Sequence, residues 1–200
     1  MSTIDQDITR RYESDPLFRS AHDALVFAFN FSMDLYDRPL MNKMADGPRQ
    51  IGKGLSGLDG AAQAGFVRAE LHTLGVIPEA LLTARISPQG SPCECRRPCC
   101  SGKTINRDWA VAIETLTKHA LVPLSGCISH YRLRAAIVQK FFGASVSLAD
   151  IAEICGVNRD TASDHNQRVV KMLKTEESAA WGRFEGRLIE VGMVDVSKNS

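Results

Sequence analysis

The pattern that most constrains the fold of this chain lies between residues 147 and 173, where two helix starts follow each other closely. Ser147 and Asp150 have the spacing of a capping box, so a short helix should begin directly after Ser147. Gly156 should end that helix, because glycine supplies the backbone freedom that a tight turn needs. Asn158 is a suitable N-cap for a second helix, expected to reach about residue 173. Two helices joined this closely must cross at short range.

Small and apolar residues fall where such a pair of helices needs an interior. Ala152 is small at the position where the two helices would cross, and Val157 would fill the corner of the turn. A supporting helix is expected over residues 130–142. Further inward positions of the three helices are Leu133, Ile137, Val138, Phe141, Ile151, Cys155, Ala162, Val169, Val170 and Leu173. The segment therefore predicts a helix-turn-helix.

A helix-turn-helix places its second helix in the major groove of DNA and presents the first turns of that helix to base edges. Residues 129–174 contain seven Lys or Arg and four Asp or Glu, a local charge of +3, whereas the whole chain carries +1. Side chains suited to base edges are Arg159, Asp160, Ser163, Asp164, Asn166 and Gln167. Side chains suited to phosphates are Arg132, Arg134, Lys140, Arg168, Lys171 and Lys174. A helix-turn-helix that contacts only protein is the alternative.

The run SLADIAEICGVNRDTASDH, followed by RVVKML, resembles region four of sigma factors and related regulators. The resemblance extends over residues 129–174 and implies binding to double-stranded DNA. It departs from those modules in the middle of the second helix, where many of them carry Arg or Lys. Here the chain has Ser163, Asp164, His165 and Asn166, so the base preferences of those modules do not carry over.

Four of the six cysteines fall within eight residues, in the run SPCECRRPCCSGK. Thiolates clustered on a Pro- and Gly-rich loop are ligands for a soft metal, so we expect Zn²⁺ bound by Cys93, Cys95, Cys99 and Cys100. The spacing differs from a pair of C-x2-C knuckles, so one ligand could come from elsewhere in the chain. Candidates for that ligand are His72, His119, Cys127 and His130. Reduced thiols and a redox role stay open as alternatives.

The remaining pattern favours an all-α fold with no convincing alternating strand. Helices are expected over residues 18–36, 58–74, 78–86 and 106–121, the last capped by Asn106. The inward face of the second helix would carry Ala62, Phe66, Ala69 and Leu71. The expected organisation is a flexible tail (1–16), a helical N-terminal region (17–90), a cysteine-rich loop (91–105), a helical DNA-binding domain (106–175) and a C-terminal helix or tail (176–200).

Several classes of function are disfavoured by what the sequence lacks. No stretch approaches the ~20 apolar residues that span a bilayer, and the first residues have no apolar signal-peptide core, so we expect a cytoplasmic protein with no membrane partner. H-E-x-x-H, P-loop and G-x-S-x-G motifs are absent, so no enzymatic activity is expected. A DNA-processing enzyme would need an acidic magnesium-binding cluster, and none is evident.

The runs YDRPLMNKMA, GLDGAAQAG, PCECRRPCCSG and ISHYRLRAAIVQKFFG resemble DNA-binding proteins carried by bacterial prophages. A cysteine cluster ahead of a helix-turn-helix is similar to the layout of Q-type late antiterminators. This resemblance implies a sequence-specific transcription regulator that also contacts RNA polymerase. The alternative is a DNA-packaging protein similar to small terminase subunits, which combines a helix-turn-helix with helical assembly regions. A homo-oligomeric ring would favour packaging.

Overall fold

The structure, a computed structural model, describes residues 16–31, 57–93, 95, 102–127 and 129–195. Most of the expected tail (residues 1–15), the segment 32–56, Cys99, Cys100 and the last five residues lie outside the described ranges. Within those ranges the chain forms seven α-helices, one short 3-10 helix and one two-stranded sheet. The elements are α1 (Ala21–Asn30), α2 (Gly57–Thr73), α3 (Val76–Ile86), β1 (Gly90–Pro92), β2 (Lys103–Ile105), α4 (Arg107–His119), the 3-10 helix (Val122–Leu124), α5 (Tyr131–Phe141), α6 (Leu148–Cys155) and α7 (Arg159–Glu190). The prediction of a predominantly helical protein is confirmed.

Helix α7 is the central helix of the described core. It packs against α1, α2, α3, α5, α6 and the 3-10 helix. Its buried residues recur every three or four positions, except for an interval of seven between Leu173 and Ala180: Ala162, His165, Val169, Leu173, Ala180, Phe184 and Leu188. It has 32 residues and runs without a break through position 175, where a domain boundary was expected. Neither α7 nor any other described helix combines the length and apolar character needed to cross a bilayer.

Helix α2 packs with a different face from the one that the sequence pattern predicted. Its buried residues include Ala64, Val67 and Leu71, whereas Phe66 is 54% exposed. The inward positions predicted for Ala62, Phe66 and Ala69 are therefore wrong, and only Leu71 was correct. The helix carries apolar residues on two opposite faces, so periodicity alone does not choose between them. Packing against α1 and α7 makes that choice.

A short antiparallel hairpin, which the sequence analysis did not predict, leads into and out of the cysteine-rich loop. Gly90 pairs with Ile105 and Pro92 with Lys103. A Cβ atom on Gly90 would lie 2.6 Å from the carbonyl oxygen of Thr104, so only glycine fits this close approach. Each strand has three residues, and β1 contains Gly and Pro, so no alternating pattern was available to predict it.

Candidate nucleic-acid interface

The α6–α7 unit, residues 148–174, begins and turns at the positions where the sequence predicted. The Ser147 hydroxyl accepts a hydrogen bond from the Asp150 backbone N at 3.1 Å, and the Asp150 carboxylate accepts one from the Ser147 backbone N at 3.3 Å. Gly156 has φ 64° and ψ 35°, the left-handed conformation that ends α6. The Asn158 side chain caps α7 by accepting from the Asp160 backbone N at 3.0 Å. Local side-chain chemistry therefore determines both ends of the turn.

The interior of this unit fixes the orientation of α7. Helix α6 contacts both α5 and α7, and α5 also packs against α7. The small side chain of Ala152 is 2% exposed, as expected at a close helix crossing. The buried apolar residues that hold the three helices together are Leu133, Ile137, Val138, Ile151, Ala162, Val169 and Leu173. Because Ala162, Val169 and Leu173 lie along one side of α7, the opposite side of its first half faces solvent.

The solvent-facing side of this half of α7, which we call the outward face, brings most of the predicted DNA-contacting residues together. Asp160, Asp164, Gln167 and Lys171 recur at spacings of three and four and form its centre. Its flanks carry Arg159, Ser163, Arg168 and Lys174. Every exposed residue between positions 159 and 174 is polar or charged. Acidic groups lie in its first two turns, and the positive charges of Arg168, Lys171 and Lys174 follow further along.

Two other predicted contacts are not part of this face. Asn166 is half-buried, since it lies between the outward and the buried sides of α7. Arg132 is exposed in the first turn of α5. Both residues are accessible to a ligand, although only Arg132 has the charge that suits a phosphate.

Arg134 does not have the role that the sequence analysis predicted. Arg134 is only 9% exposed. Its guanidinium donates from Nη1 to the Ser129 carbonyl oxygen at 2.8 Å and from Nε to the Thr117 carbonyl oxygen at 3.3 Å. A cation buried in this way is retained by its hydrogen bonds to the protein. Arg134 therefore joins the start of α5 to the end of α4 and is not available to a phosphate. Lys140 is also engaged, donating to the Val146 carbonyl oxygen at 2.8 Å.

Arg168 is held between an acid and a thiol. Its Nε lies 3.1 Å from the Asp164 carboxylate, one helical turn earlier, and its Nη1 donates to Cys127 Sγ at 3.4 Å. The two charged side chains remain 46% and 48% exposed. The hydrogen bond to Asp164, together with its negative charge, raises the pKa of the Arg168 guanidinium. The sequence analysis predicted neither contact; the i, i+4 spacing was a signal for the ion pair, whereas nothing local signals the contact with Cys127.

His165 is part of the interior rather than of the interface. It is 3% exposed, and its Nδ1 lies 2.7 Å from the Thr161 carbonyl oxygen in the preceding turn. Its Nε2 has no hydrogen-bond partner among the described residues. His165 is therefore not exposed to a base edge.

The cysteine cluster is described only in part. Cys93 is half-buried, and its backbone N donates to the Gly102 carbonyl oxygen at 3.0 Å, which extends the hairpin by one pair. Cys95 is exposed, while Cys99 and Cys100 lie outside the described residues. Among the residues that are described, no three His, Cys, Asp or Glu side chains come together in an arrangement that could hold a metal ion. The zinc site stays a prediction.

Three of the four outside ligands considered for that site make other contacts. His72 Nδ1 lies 2.9 Å from the Glu79 carboxylate, and His119 Nε2 lies 2.9 Å from the Glu176 carboxylate. Cys127 Sγ accepts the hydrogen bond from Arg168. The fourth, His130, is exposed at the residue before α5.

A cleft of about 360 Å³ lies away from the α6–α7 unit, between α2, α3 and α4. Arg68 lines it and lies 3.4 Å from the Asp108 carboxylate, while its guanidinium also stacks over Phe29 at 4.7 Å. The lining includes Leu71, Val76, Ala80, Val111 and Ala112. The lining also includes the polar or charged residues Glu79, Thr83, Arg107, Asp108 and Thr115. The charge of Arg68 therefore serves to join α1, α2 and α4 around a cleft of mixed polarity.

No family model matches the chain, and no curated protein matches it at a significant level. The function must therefore be inferred from the chemistry and geometry of the described surfaces.

Proposed function

We propose that the chain is a sequence-specific regulator of transcription that binds double-stranded DNA through the α6–α7 unit. The observation that supports this most is the outward face of α7, on which every exposed residue between positions 159 and 174 is polar or charged. The opposite side of the same half-helix is fixed by Ala162, Val169 and Leu173, each fully buried. A helix held on one side and rich in donors and acceptors on the other is suited to the major groove.

The dimensions and charges of α7 favour this use. Residues 159–174 span about 24 Å at a rise of 1.5 Å per residue, and a major groove about 12 Å wide admits an α-helix. Arg159, Ser163 and Gln167 would reach base edges from the first turns, and Lys171 and Arg132 would contact phosphates. The acidic residues Asp160 and Asp164 reduce the attraction of this surface to phosphate. We therefore expect binding that depends strongly on sequence and only moderately on salt.

The test is a titration of the full chain against a duplex selected from a random library and against a scrambled duplex, at several salt concentrations. The parent should prefer the selected duplex by about 10³-fold or more. Arg159→Ala and Gln167→Ala should each lose discrimination, while Arg183→Ala, in the second half of α7, should bind as the parent does. Equal affinity of the parent for both duplexes would refute sequence-specific binding.

The resemblance to Q-type antiterminators supports a finer proposal, in which the regulator also contacts RNA polymerase and allows it to read through terminators. Purified polymerase, a template with a late-type promoter and terminator, and the full chain provide the test. Added chain should increase read-through, and Gln167→Ala should remove the increase without unfolding the protein. No change in transcription, together with a ring oligomer on DNA, would indicate a packaging subunit instead.

We also propose that Cys93, Cys95, Cys99 and Cys100 bind one zinc ion. Zinc would supply folding free energy to a loop that contains few apolar residues. Elemental analysis of protein purified without a metal-affinity resin should find close to one zinc per chain, and Cys95→Ser or Cys99→Ser should lower that amount. Less than about 0.2 zinc per chain, with all thiols titratable in the native state, would leave the cluster as reduced cysteines.

A further inference from the structure

The ion pair between Asp164 and Arg168 restrains the arginine side chain and still leaves hydrogen-bonding groups of both residues available to a ligand. The pair lies on the exposed side of α7, and Arg168 is restrained at two of its nitrogens, by Asp164 at Nε and by Cys127 at Nη1. A guanidinium has five N–H donors, so three remain after these two contacts. One of the three is on Nη1 and two are on Nη2, so both terminal nitrogens can still donate to a ligand.

Asp164 also retains capacity for a ligand. An ionised carboxylate accepts about four hydrogen bonds, and its only hydrogen bond from a side chain among the described residues comes from Arg168. The pair therefore presents acceptors and donors side by side on a surface that remains about half exposed at both residues. Its geometry is set before a ligand arrives, so little side-chain entropy is lost on binding.

This combination matches the major-groove edge of one base pair better than it matches a phosphate. A phosphate offers only acceptors and would be repelled by Asp164. A C·G pair offers the N4 amino donor of cytosine beside the O6 and N7 acceptors of guanine. An acid that accepts from cytosine and an arginine that donates to guanine would satisfy both halves of that edge.

We propose that Asp164 and Arg168 act as one base-reading unit that selects a C·G pair. This rests on the proposed function, since it assumes that the outward face of α7 enters the major groove. Arg168 donates through its Nη1–Nη2 edge to guanine O6 and N7. Asp164 accepts from cytosine N4 and holds the guanidinium in place. Arg168 thus changes from an expected phosphate contact to a determinant of specificity.

The experiment is a selection of the full chain and its variants against a duplex library randomised at every position. The parent should require C·G at one position. Asp164→Asn should lower the preference for C there by roughly tenfold or more and move it towards A, because an amide pairs with adenine N6 and N7. Arg168→Lys should also lower it, because lysine cannot donate in a bidentate fork. Affinity for random duplex should change less than threefold in Arg168→Lys, which keeps the charge, and should rise in Asp164→Asn, which removes a negative charge from the surface.

Lys171→Ala is the matched control, because it removes a charge from the same face without touching the pair. It should weaken binding to all duplexes equally and leave the C·G preference intact. The double variant Asp164→Asn, Arg168→Lys should lose no more preference than the stronger single variant, since the two residues act together.

Each outcome bears on a different proposal. Uniform weakening in Arg168→Lys, with base preferences unchanged, would show a phosphate contact and overturn the base-reading unit. Unchanged preferences in both variants would overturn it as well, while selective binding by the parent would leave the proposed function standing. A parent with no selective DNA binding would refute the proposed function and the base-reading unit together. Circular dichroism melts should show that every variant is folded.

Discussion

The two halves of α7 use their charged residues differently. In the first half, residues 159–174, the one ion pair seen among the described residues joins Asp164 to Arg168 within the helix. In the second half, residues 175–190, three pairs join α7 to other helices: Glu176 to His119 of α4, Glu177 to Arg85 of α3 and Arg187 to Glu70 of α2. Arg187 also pairs with Glu190 within α7. One continuous helix thus presents an open polar surface at one end and is fastened to the N-terminal helices at the other.

The contact between Glu177 and Arg85 shows how closely the second half is fastened. Arg85 donates from Nε and Nη2 to the two carboxylate oxygens of Glu177, at 2.6 Å and 2.8 Å. Its guanidinium also lies 4.9 Å from the ring centres of Phe141 and Phe142 at the end of α5. Bidentate pairing with stacking requires arginine, since lysine offers neither a fork nor a plane. We therefore expect that substitutions in the second half change stability, while those in the first half change the proposed binding to DNA.

The largest expected effect is on stability, from Phe184→Ala in the second half. Phe184 is fully buried, so truncation loses its transfer free energy and leaves a cavity. The free energy of unfolding should fall by about 3–5 kcal/mol, measured by urea denaturation. Phe66→Ala removes the same atoms from an exposed position and should cost far less. A loss below about 1 kcal/mol at Phe184 would show that the second half does not belong to the core.

Gly156→Val should affect both stability and recognition, because it lies at the turn that sets the angle between α6 and α7. Its φ of +64° is unfavourable for a β-branched residue, although no atom would meet an added Cβ within 4 Å. We expect a loss of about 1–3 kcal/mol in unfolding free energy and the loss of DNA binding. Gly182→Ala, in the helical interior of α7 and equally open, should instead gain about 0.5–1 kcal/mol. If Gly156→Val melts at the same temperature as the parent and binds DNA equally well, the turn between α6 and α7 does not depend on Gly156.

Glu177→Gln tests how much the ion pair with Arg85 stabilises the packing of the second half of α7 against α3. The amide keeps the shape of the carboxylate but removes its charge from a side chain that is 14% exposed. We expect the unfolding free energy to fall by about 1–2 kcal/mol, with DNA affinity unchanged below the melting temperature. The same substitution at Glu114, which pairs with Lys118 on the exposed surface of α4, should leave the midpoint of unfolding unchanged. Equal effects at both sites would contradict a structural role for the Arg85 pair.

The smallest effect on stability is expected from Lys171→Ala in the first half. Lys171 is exposed, so the unfolding free energy should change by no more than about 0.5 kcal/mol. If Lys171 contacts a phosphate, the slope of log affinity against log salt should decrease by about 0.9. Arg183→Ala removes one charge from the second half and should leave that slope unchanged. A slope unaltered by Lys171→Ala would exclude the phosphate contact.

The sequence by itself determined the features that depend on neighbouring residues. Ser147, Gly156 and Asn158 specify where α6 begins, where the turn lies and where α7 begins, because each acts on backbone groups within a few residues. The same holds for Asn106 at the start of α4, which accepts from the Asp108 and Trp109 backbone N atoms. Local chemistry of this kind needs no knowledge of the rest of the chain.

Only the tertiary structure decided which of several compatible faces is buried and how far α7 extends. Both faces of α2 are apolar, and contacts with α1 and α7 select the one that includes Val67. Arg134 looks like a surface cation in sequence, but the carbonyl groups that bury it come from Thr117 and Ser129. Helix α7 continues past residue 173 through Gly182 and Gly186, each unfavourable by about 1 kcal/mol in a helix, because burial of residues such as Phe184 outweighs that cost. The buried face of α2 and the burial of Arg134 depend on residues distant in sequence, so no local pattern records them. For residues 176–190 the sequence offered both a helix and a tail, and burial in the core decided between them.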